Sequence, residues 1–198
     1  MSLLNNAKTM GGIGAILTLL GIIPSVGFFL GIIGFILILV AVKYISDETK
    51  DKSIFNNFLY FFISCIVGIV ITIIVLVITV INAGGITYIN ELQTLAYSKP
   101  MDVWNAIQPL LTGFLVALLV LCVFIIISAI YLRKSYDKIG ELTNVKWFGT
   151  TGLLFLIGAA TLIIGVGFII ILIAMILEII AFFSLPDKLP EKLPEKQI

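Results

Sequence analysis

Two long stretches almost without charge most constrain what this chain can fold into. Residues 149–185 are thirty-seven positions whose only ionisable side chain is Glu178, and residues 11–42 are thirty-two positions with none. Eighteen or more consecutive apolar residues are long enough to cross a bilayer as a helix. With 61% hydrophobic and 12% charged residues, the 198-residue chain also lies outside the range of soluble domains. It is predicted to be a polytopic membrane protein.

Each long stretch is predicted to be a helical hairpin. Thirty-two helical residues would extend about 48 Å, whereas the hydrocarbon core of a bilayer is about 30 Å thick. Pro24 interrupts the first stretch near its middle, and Gly165 with Gly167 interrupts the second. If each stretch were instead a single span, Lys8 and Lys43 would fall on opposite faces of the membrane.

The resulting architecture is all-α, a polytopic transmembrane bundle of six helices arranged as a hairpin, two central helices and a second hairpin. The transmembrane domain is predicted to cover residues 1–185. Residues 186–198, with Pro at every fourth position from 186 to 194, form a cytoplasmic Pro-rich tail. The predicted helices are residues 3–23, 26–45, 54–81, 109–132, 147–164 and 166–185.

The basic residues predict the orientation of this bundle. With six spans, eleven of the twelve Lys and Arg residues fall on the side that holds both termini, and only Lys99 lies opposite. Loops rich in Lys and Arg face the cytoplasm. Both termini are therefore predicted to be cytoplasmic, in a multi-pass protein of the cell membrane.

Small residues at helical spacing predict where helices pack, because close approach of backbones drives association in lipid. Those of the first two helices form two seams that would face each other across the turn at Pro24. The pair Gly27 and Gly31 also fits a dimerisation pattern, but an internal contact is the favoured use. The predicted packing residues are Gly11, Gly14, Gly21, Gly27, Gly31, Gly34, Gly167 and Ala174.

The last helix echoes the second at a distance of 140 positions. Eight of twenty-two positions are identical, beginning with the sequence Val-Gly-Phe at residues 26–28 and 166–168. A duplicated hairpin is one explanation, and chance in segments rich in Ile and Leu is the other. In this alignment Glu178 replaces Ile38, so its side chain is predicted to face other helices.

Glu178 is the candidate functional residue, because a carboxylate inside the membrane is costly and marks a site by default. The favoured role is a hydrogen bond between helices, with Thr151, Ser128 or Tyr60 as partner. The alternative role is a step in a proton or cation pathway.

Most chemistry is missing from the sequence. The chain has no His and a net charge of +1, and Cys65 and Cys122 lie inside apolar runs, not in a metal or redox spacing. No catalytic residue, cofactor site, metal site or nucleic-acid partner is predicted, and an enzyme is not expected.

Three segments resemble a known family: residues 5–14 (NNAKTMGGIG), residues 41–47 (AVKYISD) and residues 53–57 (SIFNN). They are similar to small, mostly archaeal integral membrane proteins of unknown function. The resemblance implies a membrane-embedded fold and carries no functional residue with it.

Three function classes are left open. The first is a structural or accessory bundle that packs with a membrane-protein partner or with a second copy of itself in the lipid bilayer. The second is a small transporter or channel that uses Glu178, and the third is a membrane-shaping protein whose hairpins act as wedges.

Overall fold

The computed structural model describes residues 2–85 and 100–190, and six α-helices lie in these ranges without any β-strand. The predicted all-α bundle of six helices is confirmed. A short 3₁₀ turn, Leu162–Ile164, joins the last two helices. The helices are α1 (Leu3–Leu20), α2 (Gly27–Thr49), α3 (Lys52–Asn82), α4 (Pro100–Thr143), α5 (Lys146–Ala160) and α6 (Gly167–Phe183).

Helix α4 is far longer than predicted, whereas the other helices begin and end within four residues of the predicted bounds. It begins at Pro100 instead of residue 109 and ends at Thr143 instead of residue 132, with Pro109 inside it. Beyond residue 132 the helix continues through charged residues, because they pair along its surface. Arg133 pairs with Asp137, and Lys138 pairs with Glu141. Lys99, the predicted basic residue of the opposite side, lies outside the described residues.

Three of the described helices are long and apolar enough to cross a membrane: Gly27–Thr49, Lys52–Asn82 and Val103–Thr143. Their length and composition indicate a membrane protein. Helices α1, α5 and α6 are shorter, with 18, 15 and 17 residues. By length and hydropathy together, therefore, the structure distinguishes three of the six predicted spans from the other three.

The fold divides into two compact units. One contains both hairpins with the adjoining ends of α3 and α4, up to Phe62 and from Ile126 onward. The other contains the remainder of α3 and α4, where small residues again allow close packing. A Cβ atom on Gly68 would lie 2.5 Å from the Cβ atom of Phe124, so these two helices touch there.

Aromatic rings form the core of the unit that contains the hairpins. The ring of Phe35 on α2 stacks on Phe58 of α3, with 5.8 Å between centroids, and Phe58 stacks on Tyr136 of α4. Tyr136 meets Phe148 of α5 edge to face, and Phe148 meets Phe182 of α6 in the same way. This series of rings connects five helices.

The two hairpins repeat one arrangement. Helices α1 and α5 end at Leu20 and Ala160, and α2 and α6 begin at Gly27 and Gly167, so both differences are 140 positions. The same offset relates their buried positions, as a duplicated hairpin would require. The matching buried pairs are Gly27 and Gly167, Gly34 and Ala174, Ile38 and Glu178, Ala41 and Ala181, Val42 and Phe182, and Ile45 and Leu185.

The two ends of the described chain meet. The hydroxyl of Ser2 donates a hydrogen bond of 2.7 Å to the backbone carbonyl of Asp187, and Leu189 packs against the core. Helix α6 ends at Phe183, and the part of the predicted tail that is described, residues 186–190, contains no helix. The start of α1 and the end of α6 therefore lie together.

Asp51 caps the start of α3 at the polar connection from α2. Its carboxylate accepts a hydrogen bond of 2.8 Å from the backbone N–H of Ser53. Hydrogen bonds from the Ser53 hydroxyl and backbone N–H hold the pKa of Asp51 below its usual value. The carboxylate is thus kept ionised where the helix begins.

Candidate functional site

Glu178 lies in the interior of the bundle, where a tyrosine binds it. Its side chain is only 5% exposed, on the face of α6 that packs against the other helices. The hydroxyl of Tyr136 donates a hydrogen bond to Oε1 of Glu178, and Tyr136 is itself fully buried. The two residues are 42 positions apart in sequence and join α4 to α6.

The sequence prediction missed Tyr136 because it ended the fourth helix at residue 132. A tyrosine four residues beyond that point would belong to a loop. The signal that could have found it is the charge pattern of residues 133–141, where acidic and basic side chains recur at helical spacing. That pattern indicates that the helix continues and keeps Tyr136 on its inner face.

Aromatic rings enclose the hydrogen bond. The ring of Tyr136 lies between Phe58, at 6.4 Å between centroids, and Phe148, at 5.5 Å. Phe182, one helical turn after Glu178, meets the ring of Phe148 at 5.1 Å. The carboxyl group is thus paired inside a buried, largely apolar core, where a hydrogen bond is stronger than in water and an unpaired polar group is more costly.

The three partners predicted for Glu178 lie on three different helices, α3, α4 and α5. Tyr60 is about half exposed and packs against Tyr131 of α4, with 5.4 Å between ring centroids. Ser128 is buried on α4, and Thr151 is buried on α5. The donor to Glu178 among the described residues is Tyr136, which the prediction did not include.

Thr151 is a buried hydroxyl without a hydrogen-bond partner among the described residues. Phe148 and Phe182 touch across the antiparallel helices α5 and α6. Thr151 lies one turn after Phe148 on α5, and Glu178 lies one turn before Phe182 on α6. Because the two helices are antiparallel, both steps go in the same direction from the contact between Phe148 and Phe182. The unpaired hydroxyl and the carboxyl group are therefore at the same level of the bundle.

Replacing Thr151 by valine is expected to leave the thermal unfolding temperature unchanged or to raise it. Valine keeps the shape of the side chain and removes a hydroxyl whose burial without a partner costs about 1 to 3 kcal/mol. Thr143→Val is the matched control, because the buried hydroxyl of Thr143 donates a hydrogen bond of 2.6 Å to the carbonyl of Ile139. A larger loss for Thr151→Val than for the control would contradict the expectation.

Four of the predicted packing glycines bring the backbones of α1 and α2 together. A Cβ atom on Gly14 would lie 2.7 Å from the carbonyl oxygen of Gly34, and one on Gly34 would lie 2.5 Å from that of Gly14. Gly27 lies equally close to the backbone of Gly21. Gly31 is different, because its nearest neighbour would be the Cα atom of Gly21 at 3.6 Å, an ordinary contact.

Gly11 has a different neighbour from the one that the sequence analysis assigned. It does not face α2: the ring of Phe182 on α6 occupies the space beside it. The next residue, Gly12, receives the ring of Phe183. The middle of α1 therefore packs against the last turn of α6. Glycine is needed there because the rings of Phe182 and Phe183 fill the space that a side chain on α1 would occupy.

In the second hairpin, α5 and α6 pack closely at Gly167, which was predicted, and at Gly158, which was not. Gly167 lies against the carbonyl of Gly158, and a Cβ atom on Gly158 would lie 2.7 Å from the side chain of Ile171. Ala174, the other predicted residue of this hairpin, is fully buried. Within residues 2–85 and 100–190, no three Cys, Asp or Glu side chains are grouped so as to hold a metal ion.

Comparison with known proteins agrees with the resemblance seen in the sequence. Residues 30–176 match the model of a family described as protein of unknown function (DUF996). An uncharacterized protein of Methanocaldococcus jannaschii, MJ1644, is 39% identical over 186 residues, which cover 94% of this chain and 95% of that protein. The predicted similarity to a family of unknown function with archaeal members is confirmed. No solved structure matches the chain.

Proposed function

This chain belongs to the DUF996 family of proteins of unknown function, and from that premise we propose that it is a structural or accessory helix bundle of the membrane. In this proposal it performs no catalysis and packs with a membrane-protein partner or with a second copy of itself. Both of its termini lie in the cytoplasm, as the distribution of basic residues favours.

The contact between Tyr136 and Glu178 is the observation that supports this proposal. Proton and cation pathways in membrane proteins are usually built from chains of Asp, Glu or His side chains. Glu178 instead accepts a hydrogen bond from a fully buried tyrosine, whose own ring lies between Phe58 and Phe148. This arrangement suits a group that holds α4 and α6 together.

The exposed surface of α3 favours a partner. This helix has 31 residues, and only 6% of its most apolar window is buried by the rest of the described chain. Its large side chains, such as Ile69, Ile73 and Val77, are about half exposed. Lipid or another membrane protein can cover such a surface, and an accessory bundle uses part of it for its partner.

A small transporter or channel is the second candidate, and Thr151 is the observation in its favour. A buried hydroxyl without a partner, at the level of a buried carboxyl group, is a place where an ion or water could be held. Without a second acidic or basic side chain beside Glu178 among the described contacts, this candidate ranks below the accessory function.

Flux measurements in reconstituted vesicles separate the two candidates. Wild-type protein in vesicles with a pH gradient or a sodium or potassium gradient is expected to dissipate the gradient no faster than empty vesicles. A flux that appears with wild type and disappears with Glu178→Gln, while both variants unfold at the same temperature, would overturn the accessory function in favour of transport.

The accessory function also predicts a partner that can be isolated. Purification from native membranes in mild detergent is expected to yield a fixed ratio of this chain to one other membrane protein or to itself. Tagging the second protein should recover the first at the same ratio. If both purifications gave a monomer alone, the accessory function would lose its support.

A further inference from the structure

The two hairpin turns present bulky apolar side chains outward. In the first tip, residues 21–29, Ile22, Val26 and Phe29 are about three-fifths exposed and Phe28 is 71% exposed. In the second tip, residues 161–169, the exposure is similar and reaches 72% at Ile164. Neither tip contains a charged residue. Loops in water are normally polar, so side chains of this kind indicate an apolar surrounding.

Most backbone N–H groups of the first tip are paired within the hairpin, and that of Ser25, which has a φ of 73°, is an exception among the described residues. The N–H groups of Gly21 and Ile23 donate to carbonyls of the last turn of α1, and that of Gly27 donates to Ile23 at 2.9 Å. Pro24, at the apex, has no N–H group to satisfy. In hydrocarbon each unpaired N–H or carbonyl costs several kcal/mol, so a turn that lies there must pair its groups internally.

The second tip closes in the same way. Thr161 donates to the carbonyl of Ile157, Gly165 donates to that of Leu162, and Gly167 donates to that of Thr161. Gly165 has a φ of 82°, a left-handed conformation that allows this tight turn. Both tips thus combine apolar side chains with extensive internal hydrogen bonding, although their sequences are only partly alike.

The apolar part of each hairpin arm is short for a complete crossing. Helix α1 has 18 residues and α2 has 23, but only the thirty-four positions between Lys8 and Lys43 are uncharged, so each apolar arm is about 25 Å long as a helix. In the second hairpin, α5 has 15 residues and α6 has 17, or about 22 and 25 Å. Helix α3, with 31 residues, is about 46 Å long against a core of about 30 Å.

We propose that both hairpin tips end inside the hydrocarbon core of the bilayer and are surrounded by lipid acyl chains. The two hairpins then enter and leave the membrane on the side that holds the termini, and α3 and α4 cross it. Helix α2 is long enough to span, but its end carries Lys43, Asp47 and Glu48 and lies outside the hydrocarbon in this arrangement. This proposal goes beyond the accessory function and does not depend on the role of Glu178. It revises the predicted six spans to two spans and two re-entrant hairpins.

The groove beside the first tip favours lipid acyl chains as the molecules that surround the tips. Beside this tip lies a groove of about 590 Å³ whose lining has no charged side chain. The groove is apolar, and its lining includes Phe28, Ile32, Phe35 and Phe62, with Gly31 between them. Because both tips have the same apolar character at separate places in the chain, a common surrounding medium explains them better than one specific protein contact.

Cysteine labelling in lipid vesicles tests the position of the tips. In a background with Cys65→Ala and Cys122→Ala, Ile23→Cys and Ile164→Cys place a thiol in each tip, and Lys188→Cys places one at the polar end. A maleimide that cannot cross membranes, present on both sides of the vesicles, is expected to label the Lys188→Cys variant fully. The two tip variants should stay unlabelled until the membrane is dissolved in sodium dodecyl sulfate.

Fluorescence quenching measures the depth independently of thiol reactivity. With Trp104→Phe and Trp147→Phe as background, Phe28→Trp is expected to be quenched most by lipids brominated deep in the acyl chain. A protein that keeps only Trp147, next to Lys146 at the polar start of α5, should be quenched most by lipids brominated near the headgroup. Both variants carry one tryptophan and are measured in the same lipids, so only the position of the tryptophan differs.

Two results would overturn the proposal. Labelling of either tip by the maleimide in intact vesicles would place that tip in water, as in a complete crossing. Disulfide formation between two chains at Ile23→Cys under mild oxidation, together with shallow or absent quenching of Phe28→Trp, would identify a second copy as the occupant.

Discussion

Gly34→Ala is expected to lower the stability of the protein by about 1 to 3 kcal/mol, the cost of forcing an extra methyl group into close packing. The added Cβ atom would lie 2.5 Å from the carbonyl oxygen of Gly14 and from the backbone nitrogen of Thr18. Both are backbone atoms, so no side chain can rotate away and α1 must move from α2. Thermal unfolding in detergent or in lipid nanodiscs measures the loss.

Gly31→Ala is the matched control one turn earlier on the same helix. Its added methyl group would make an ordinary contact of 3.6 Å with the Cα atom of Gly21. Alanine also favours a helix over glycine by about 1 kcal/mol, so this variant should unfold at the wild-type temperature or above it. Equal losses at the two positions would show that the close contact between Gly34 and α1 does not determine the effect.

Tyr136→Phe is expected to lower the stability by about 1 to 3 kcal/mol, because it leaves a buried carboxyl group without its donor. The substitution keeps the aromatic ring between Phe58 and Phe148 and removes only the hydroxyl that binds Glu178. Chemical or thermal unfolding of the purified protein provides the measurement.

Substitutions of Glu178 distinguish a hydrogen bond from a charge. Glu178→Gln retains a carbonyl that can accept from Tyr136 and should lose less than about 1 kcal/mol, whereas Glu178→Leu should lose about 1 to 2 kcal/mol. The loss from Tyr136→Phe should be much smaller in the Glu178→Leu background, since no carboxyl group is left to satisfy. Losses that simply add would show that the two side chains are not coupled.

The apolar pattern was sufficient to predict the class of fold and the number of helices. Pro24 and Gly165 divided the two long stretches at the right places, because a turn needs a residue that breaks the helix or allows a left-handed backbone. The same pattern predicted the wrong bounds for α4, because both ends of this helix lie in polar sequence. There helix formation depends on charge pairs and on packing against neighbours, which hydropathy does not register.

Spacing along one helix predicted that Glu178 and the glycines would face the interior of the bundle. It did not predict which residues of other helices they would contact. The periodicity of a helix determines which residues share a face, and that property is local. Which helix lies opposite that face depends on how all the helices pack together. The pattern of apolar, charged and helix-breaking residues was thus enough to predict a membrane protein, its six helices and the inward face that carries Glu178. Only the tertiary structure decided that Tyr136 binds Glu178, that Gly11 receives Phe182 and that Gly34 is tighter than Gly31, because each is a contact between side chains or backbones far apart in the chain.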